Sequence, residues 1–311
     1  MSEGAMECPE FDLVMTLGSG QTFHWRPVNA LGGGGFTGCI GSTSVTLRQE
    51  GSRLLYRGGS PELLSRYFAF DHDLEAIRSS CAGHPVSQSA SLACRGLRVM
   101  RQPLWECLAS FILSPMKQVA HISQMSLALR SAYGTPLKDT PVPAFPEAGS
   151  LAEAGVEELR KCGLGFRAKS LHATASLVAS GEFDPESLLM MSTGEARAEL
   201  CRLPGIGRKV ANCILLFAYE RLEVVPVDVW VARILGSFRK PGSRKMTLDQ
   251  LEIYGERQLG PYAGYIQQYL FHQARTGELK LPKPKPKPKP PRKKMCGTNP
   301  SLPIVGGKTV L

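Results

Sequence analysis

No apolar run in this chain of 311 residues is long enough to cross a bilayer, which takes about 20 residues as a helix. The first residues, Met1-Ser2-Glu3-Gly4-Ala5-Met6, lack the basic segment and apolar stretch of a secretory leader, so no signal peptide is expected. Nine cysteines are present, none in a Cys-x-x-Cys pair. That scatter argues against a zinc site and for a reducing compartment. Acidic residues are missing from Lys280 to Leu311, where nine Lys or Arg stand. Of the net charge of +10, about +1 is left for the rest, so any grip on a polyanion there must come from local patches. The run Lys283-Pro284-Lys285-Pro286-Lys287-Pro288-Lys289 is low in complexity and extended. It reads as a disordered tail that either solubilises or adds sequence-independent attraction for phosphate.

What is present divides near residue 100, with no internal repeat. Before it, Phe36–Ile40, Ser44–Arg48 and Leu54–Arg57 are short β-leaning runs parted by glycine-bearing turns. After it the pattern is helical. Leu104, Leu108, Phe111 and Ile112 share a face, and Val119, Ile122, Met125 and Leu129 follow at helical spacing. Further helices are expected over 157–162, 168–180 and 186–191. These signals predict an α+β fold: a small antiparallel β N-terminal domain over 1–100, an all-helical core over 101–281, and the tail over 282–311.

The most informative stretch is Leu203-Pro204-Gly205-Ile206-Gly207-Arg208-Lys209-Val210-Ala211-Asn212-Cys213, followed by Val225-Pro226-Val227-Asp228. It reads as two helices joined by a hairpin in which Gly205 and Gly207 permit a tight turn. The first N–H groups of the second helix have no partner within it, and its dipole favours an anion there. Such a hairpin grips phosphate without reading bases; the plainer reading is a simple helix corner. The second helix, expected from about Ile206 to Tyr219, is apolar nearly all round, so Lys209 sits at the mouth of a buried helix. Most helix lysines are solvated. Here desolvation and the dipole both disfavour the charged form, and a neutral amine is a nucleophile. Asp228 stands where a helix N-cap is expected. A capping carboxylate is fixed in direction, which also suits a charge meant to face a developing cation.

Together with distant segments, these residues resemble the 8-oxoguanine DNA glycosylase family of the helix-hairpin-helix DNA glycosylase superfamily. Gly18-Ser19-Gly20-Gln21-Thr22-Phe23-His24-Trp25 is similar to the family's N-terminal signature. Arg101–Leu108 is similar to the start of its first core helix, Gly163–Ala168 to its loop beside DNA, and Gly260–Gly264 to the start of its last helix. The resemblance runs from roughly Phe11 to Leu281. It implies a bifunctional glycosylase and AP lyase, expected as a monomer, acting on damaged double-stranded DNA. The base is flipped out, Lys209 attacks the sugar and Asp228 steadies the positive charge. Gly20, Cys213, Gln267 and Phe271 would form the base pocket, though a turn glycine and a core cysteine are the plainer readings of Gly20 and Cys213. Phe166 would wedge the stack and Arg167 contact the unpaired partner base. Carbonyls of Cys201, Leu203 and Ile206 would hold a structural monovalent cation. No other cofactor is implied. The four closely spaced cysteines of the iron–sulfur members are missing, so no cluster is expected.

Departures from the family pattern concern the partner base. Met116 stands in place of an intercalating asparagine, His121 in place of a cytosine-reading arginine, and Trp230 in place of a histidine. A methionine fills a stack but reports no base by hydrogen bonds. Two other readings stay open: a glycosylase of the same fold for another damaged base such as an alkylated purine, and a non-enzymatic helix-hairpin-helix DNA-binding protein. Lys209 weighs against the first, and the set Lys209, Asp228, Cys213 and Phe271 against the second. The expected location is the cytoplasm and nucleoid in a bacterium, or the nucleus in a eukaryote.

Overall fold

Alternating apolar residues in Val45-Thr46-Leu47 and Leu54-Leu55-Tyr56 build the middle of a five-stranded sheet. Its strands are β1 (Glu3–Glu7), β2 (Arg26–Ala30), β3 (Gly33–Ile40), β4 (Thr43–Glu50) and β5 (Arg53–Arg57), all antiparallel in the order β1-β5-β4-β3-β2. The computed structural model describes residues 3–81, 83–240 and 242–279; the basic tail lies outside the described residues. The inner strands match the three β-leaning runs. The edge strands β1 and β2 were not expected, because between them they hold a single β-branched residue, Val28. They are recruited by pairing, Glu3 to Arg57 and Arg26 to Thr37.

Val45, Leu47, Leu54 and Tyr56 pack on Phe11, Leu13, Leu17, Leu64 and Phe68. These come from α1 (Leu13–Gly18), α2 (Pro61–Tyr67) and the segments beside them, with α3 (Leu74–Ser79) and α4 (Pro85–Ala93) following. The second part is helical: α5 (Leu104–Ile112), α6 (Val119–Tyr133), α7 (Ala148–Leu159), α8 (Arg167–Ala179), α9 (Thr193–Arg202), α10 (Arg208–Ala218), α11 (Val229–Ser237), α12 (Leu248–Leu259) and α13 (Ala263–Thr276). The helix expected over 157–162 is the end of α7, which passes into a single wider turn, Arg160–Leu164. The one expected over 186–191 is a tight 3-10 turn, Pro185–Met190. Helix α10 begins two residues later than the periodicity suggests, because Gly207 is extended (φ −96°, ψ 174°) and serves as N-cap.

The larger core is built on α5 and α10, whose Phe111 and Phe217 rings stack with centroids 5.5 Å apart. Every residue of α10 from Val210 to Phe217 is buried. The sheet part is tied to this core by polar groups. Gln21, fully buried, donates to the Arg98 carbonyl and accepts from Met100 N–H, while Gln102 donates to the Gln21 carbonyl. A second tie joins β3 to α5 and α6. Arg130, fully enclosed, pairs with Glu106 and donates to the Pro143 carbonyl and the Cys39 sulfur. His24 lies 3.2 Å from Glu106 and bonds the Cys39 carbonyl through Nε2. Burial and the nearby Arg130 charge hold the His24 imidazole well below its ordinary pKa. Removing one partner of a buried ion pair leaves an uncompensated charge and costs about 3–5 kcal/mol. Arg130→Met is therefore expected to lose stability of that order in urea unfolding, and Arg130→Met with Glu106→Gln to lose clearly less. A single variant within about 0.5 kcal/mol of wild type would show that this tie is not what joins the two parts.

Candidate active site

The hairpin between α9 and α10 carries the first element of the site. Gly205 has φ +82°, and a Cβ there would lie 2.5 Å from Ser170 Oγ, so only glycine fits. The start of α10 has no side-chain cap, whereas α9, α11 and α12 are capped by Ser192, Asp228 and Thr247. Its free N–H groups therefore remain available to a phosphate. Beneath them Arg208 pairs with Glu252, and Arg197 bonds Asn212 and Glu256, fixing α9, α10 and α12 together.

Lys209 is half-buried at this mouth. Its Nζ lies 3.5 Å from Ser114 Oγ and 5.9 Å from the Phe111 ring centroid, both contributed by α5 and its end. Cys213 lies one turn further along α10. Burial raises its thiol pKa, and the nearby Lys209 pulls the other way. Asp228 caps α11 as expected, accepting from Trp230 N (2.9 Å) and Val231 N (2.8 Å). Burial raises its carboxyl pKa, opposed by those two N–H groups and by the charge of Lys209. The two residues singled out in the sequence are thus electrostatic neighbours, with the carboxylate aimed by its capping bonds.

A second group of residues gathers around Gly20. Gly20 has φ +86°, and a Cβ on it would meet Val119 Cγ2 at 3.1 Å and Phe271 Cε1 at 3.5 Å. Its backbone is held on one side by Gln268, which donates to the Ser19 carbonyl (3.0 Å), and by Arg275, which donates to the Gly18 carbonyl. Gln267, from the same helix, is buried, and its Oε1 has no hydrogen-bond partner among the described residues. A buried polar atom without a partner calls for an explanation, and a ligand is one. Sequence reasoning did not single out Ser114, Val119 or Gln268. Only Gln268 carried a signal, as the neighbour of Gln267.

The residues expected at DNA fall in two groups. Met116 (90% exposed) and Phe166 (62% exposed) project from the surface, and His121 is exposed too. Trp230 is exposed at the tip of α11 with the Arg233 guanidinium 5.2 Å from its ring. Arg167 is placed differently from a side chain waiting for a partner base. It is 4% exposed, donates from Nε to the Pro115 carbonyl at 3.1 Å, bonds the same oxygen through Nη2, and reaches the Leu164 carbonyl at 3.3 Å. At the hairpin, the carbonyl of Cys201 lies in the last turn of α9 and that of Ile206 precedes the N-cap of α10, so neither belongs to a helix interior; Leu203 O accepts from Ile206 N at 3.2 Å. All eight described cysteines are free thiols, and no helix among the described residues is long and apolar enough to cross a membrane.

With this geometry in view, comparison with known proteins adds two family matches. Residues 5–108 match the family model "8-oxoguanine DNA glycosylase, N-terminal domain", and residues 109–254 match "HhH-GPD superfamily base excision DNA repair protein". An N-glycosylase/DNA lyase of Arabidopsis thaliana is 31% identical over 84% of this chain and 77% of its own length. Among solved structures, the Clostridium acetobutylicum 8-oxoguanine glycosylase/lyase, in complex with double-stranded DNA containing cytosine opposite 8-oxoG, superposes with TM-score 0.80 at 26% identity. That match covers 89% of this chain and 99% of the other. A 3-methyladenine DNA glycosylase from Archaeoglobus fulgidus shares the fold, with TM-score 0.70 at 19% identity over 89% and 100% of the two chains.

Because burial raises the Asp228 pKa above its unfolded value, the folded protein binds that proton more tightly. The ionised carboxylate therefore weakens the fold at pH above the folded pKa, and this penalty fades as pH falls towards the unfolded value of about 3.9. Asp228→Asn keeps the cap and is expected to melt at or above the wild-type temperature at pH 7, with the difference shrinking in acid. A variant clearly less stable at pH 7 would show that the charge supports the fold instead.

Proposed function

The chain belongs to the 8-oxoguanine DNA glycosylase family of the helix-hairpin-helix superfamily, and from that premise we propose that Lys209 and Asp228 are the residues with which it works. The activity is that of a bifunctional 8-oxoguanine DNA glycosylase and AP lyase on duplex DNA. The observation that carries the assignment is the half-buried amine of Lys209 in the field of Asp228 at an uncapped helix mouth.

The flipped nucleotide enters between α5, α10 and α13. The Lys209 amine attacks C1′ as the bond from C1′ to the base breaks, and the electron pair leaves with the base, which takes up a proton. Asp228 faces the positive charge that builds on the sugar and stabilises it electrostatically. Its raised pKa also suits it to accept a proton from the lysine nitrogen once that nitrogen has bonded to C1′. Opening of the sugar ring leaves a Schiff base on Lys209; loss of a C2′ proton then expels the 3′ phosphate and nicks the strand. In this reading the Gly20 carbonyl accepts from the N7 hydrogen that 8-oxoguanine carries and guanine lacks. Cys213 and Phe271 flank the base, and Gln267 offers its free Oε1 to the base edge. At the hairpin, the carbonyls of Cys201, Leu203 and Ile206 would hold a monovalent cation that adds positive charge beside the phosphate; Gly205 and Gly207 let the strand approach them. Met116, Phe166 and His121 face the duplex.

Lys209→Gln is expected to lose borohydride trapping and base excision while still binding a duplex that carries 8-oxoguanine. Asp228→Asn is expected to excise more than about tenfold more slowly, roughly 1.4 kcal/mol of barrier. The measurement is single-turnover excision, with trapping followed on a gel. Wild-type trapping by the glutamine variant would remove Lys209 from the nucleophile's role.

A further inference from the structure

Residues Ser114 to Lys117 form a β-turn closed by a bond from Lys117 N to the Ser114 carbonyl (3.2 Å). Proline occupies its second position, and the third, Met116, has φ +58°. Proline fixes a negative φ, so positive φ at the next residue makes this a type II turn. That turn favours glycine or asparagine at its third position, because a side chain there crowds the backbone. Methionine is a poor occupant. The alternative is close at hand. Rotating the central peptide, which joins Pro115 to Met116, converts type II to type I, keeps the closing bond and returns Met116 to negative φ.

The carbonyl of that central peptide is the oxygen of Pro115, and it is held by Arg167. Nε and Nη2 of the guanidinium both donate to it, Nη1 is tied to the Leu164 carbonyl, and the guanidinium carbon lies 4.3 Å from the Phe166 ring centroid. A carbonyl gripped by a buried guanidinium cannot swing away without leaving a charged group unpaired. We propose that Arg167 is a positioning residue: it latches the Ser114–Lys117 turn in the type II form and thereby aims Met116 as the wedge. The same turn begins at Ser114, the hydroxyl partner of Lys209. The latch thus joins three things across one short segment: the wedge Met116, the wedge Phe166 beside Arg167, and the nucleophilic amine. Held in this way, the Arg167 guanidinium is engaged by backbone carbonyls rather than free for a partner base. This rests on the glycosylase reading above and deepens it by assigning how the wedge is set.

The experiment is single-turnover excision of 8-oxoguanine from four duplexes that differ only in the opposite base. Wild-type excision on any of them tests the glycosylase reading by itself; the latch is judged only on ratios between variants. Arg167→Ala is expected to slow excision by a similar factor, about tenfold, opposite all four bases. Arg167→Lys, which offers a single ammonium to the carbonyl, should recover part of the rate. Met116→Asn supplies a residue that accepts positive φ unaided, so Arg167→Ala made on that background should cost clearly less than on wild type. Unstacking is read separately, by 2-aminopurine fluorescence beside the lesion, and should fall in Arg167→Ala and return in the double variant. That second readout keeps the latch testable if the protein proves to excise some other base. A loss confined to the cytosine duplex, or an equal loss on the Met116→Asn background, would overturn the proposal and make Arg167 a base reader. If Arg167→Ala does not fold, Arg167→Lys alone carries the comparison: a uniform loss supports the latch and a cytosine-only loss refutes it.

Discussion

Burial of α10 is the constraint on which the rest of the site depends. A helix enclosed from Val210 to Phe217 has one orientation, set by its packing on Phe111 and the rest of α5. Its N-terminus must then emerge at one place on the surface, and that place is the hairpin. Everything chemical follows from the emergence. The unpaired N–H groups come out with the dipole behind them. Lys209, two residues past the N-cap, is left neither in solvent nor in the core. Ser114 and Cys213 reach its amine because α5 and α10 are already pressed together. The site needs no strain to bring the amine to a partly dry location; the core does it.

Legibility in the sequence follows the same physics. The hairpin, the buried helix and the cap at Asp228 were readable because each rests on a local rule: glycine for a turn, apolar periodicity for burial, aspartate for an N-cap. The pocket residues Gly20, Gln267 and Phe271 were reached through resemblance alone, since nothing local joins a residue near the start of the chain to one near its end. The structure brings Gly20 beside Val119 and Phe271, and Gln268, the neighbour of Gln267, holds the Ser19 carbonyl. Strands β1 and β2 were missed because pairing, not propensity, creates them. The inward turn of Arg167 was missed for a related reason. An arginine beside an aromatic in a glycine-bearing loop gives no sign of which oxygen it will find, and its partner, the Pro115 carbonyl, is a backbone atom with no sequence signature at all.

On the function proposed above, the two halves of the chain contribute unequal things to the site. The helical part brings the amine, the carboxylate and the base edge partner. The sheet part brings a backbone, the Gly18–Gly20 segment, and must hold it still. Beside the ring contact of Phe23 with Phe111, the junction therefore carries directional bonds. Apolar contacts would let the segment slide by fractions of an ångström, whereas the bonds of Gln21 to Arg98 and Met100, and of Gln102 to Gln21, have direction. If a single carbonyl is to separate a lesion from a normal base, its position is worth fixing by directional bonds.

Two features work against stability and lie close together. Met116 holds a positive φ that costs of the order of 1–3 kcal/mol for a residue with a side chain. Asp228 keeps a carboxylate where burial disfavours its charge. Each is held in place by neighbours that over-determine it: Arg167 on the peptide before Met116, and two N–H groups with Lys209 around Asp228. Neither arrangement would survive if the local chain alone decided, and relaxing either would leave a fold of the same architecture. What would be lost is direction, of the wedge in one case and of the negative charge in the other. Other non-glycine residues hold positive φ as well, Glu10, Leu31, Ala69, Asp139 and Glu220; what sets Met116 apart is the buried guanidinium that grips the peptide before it.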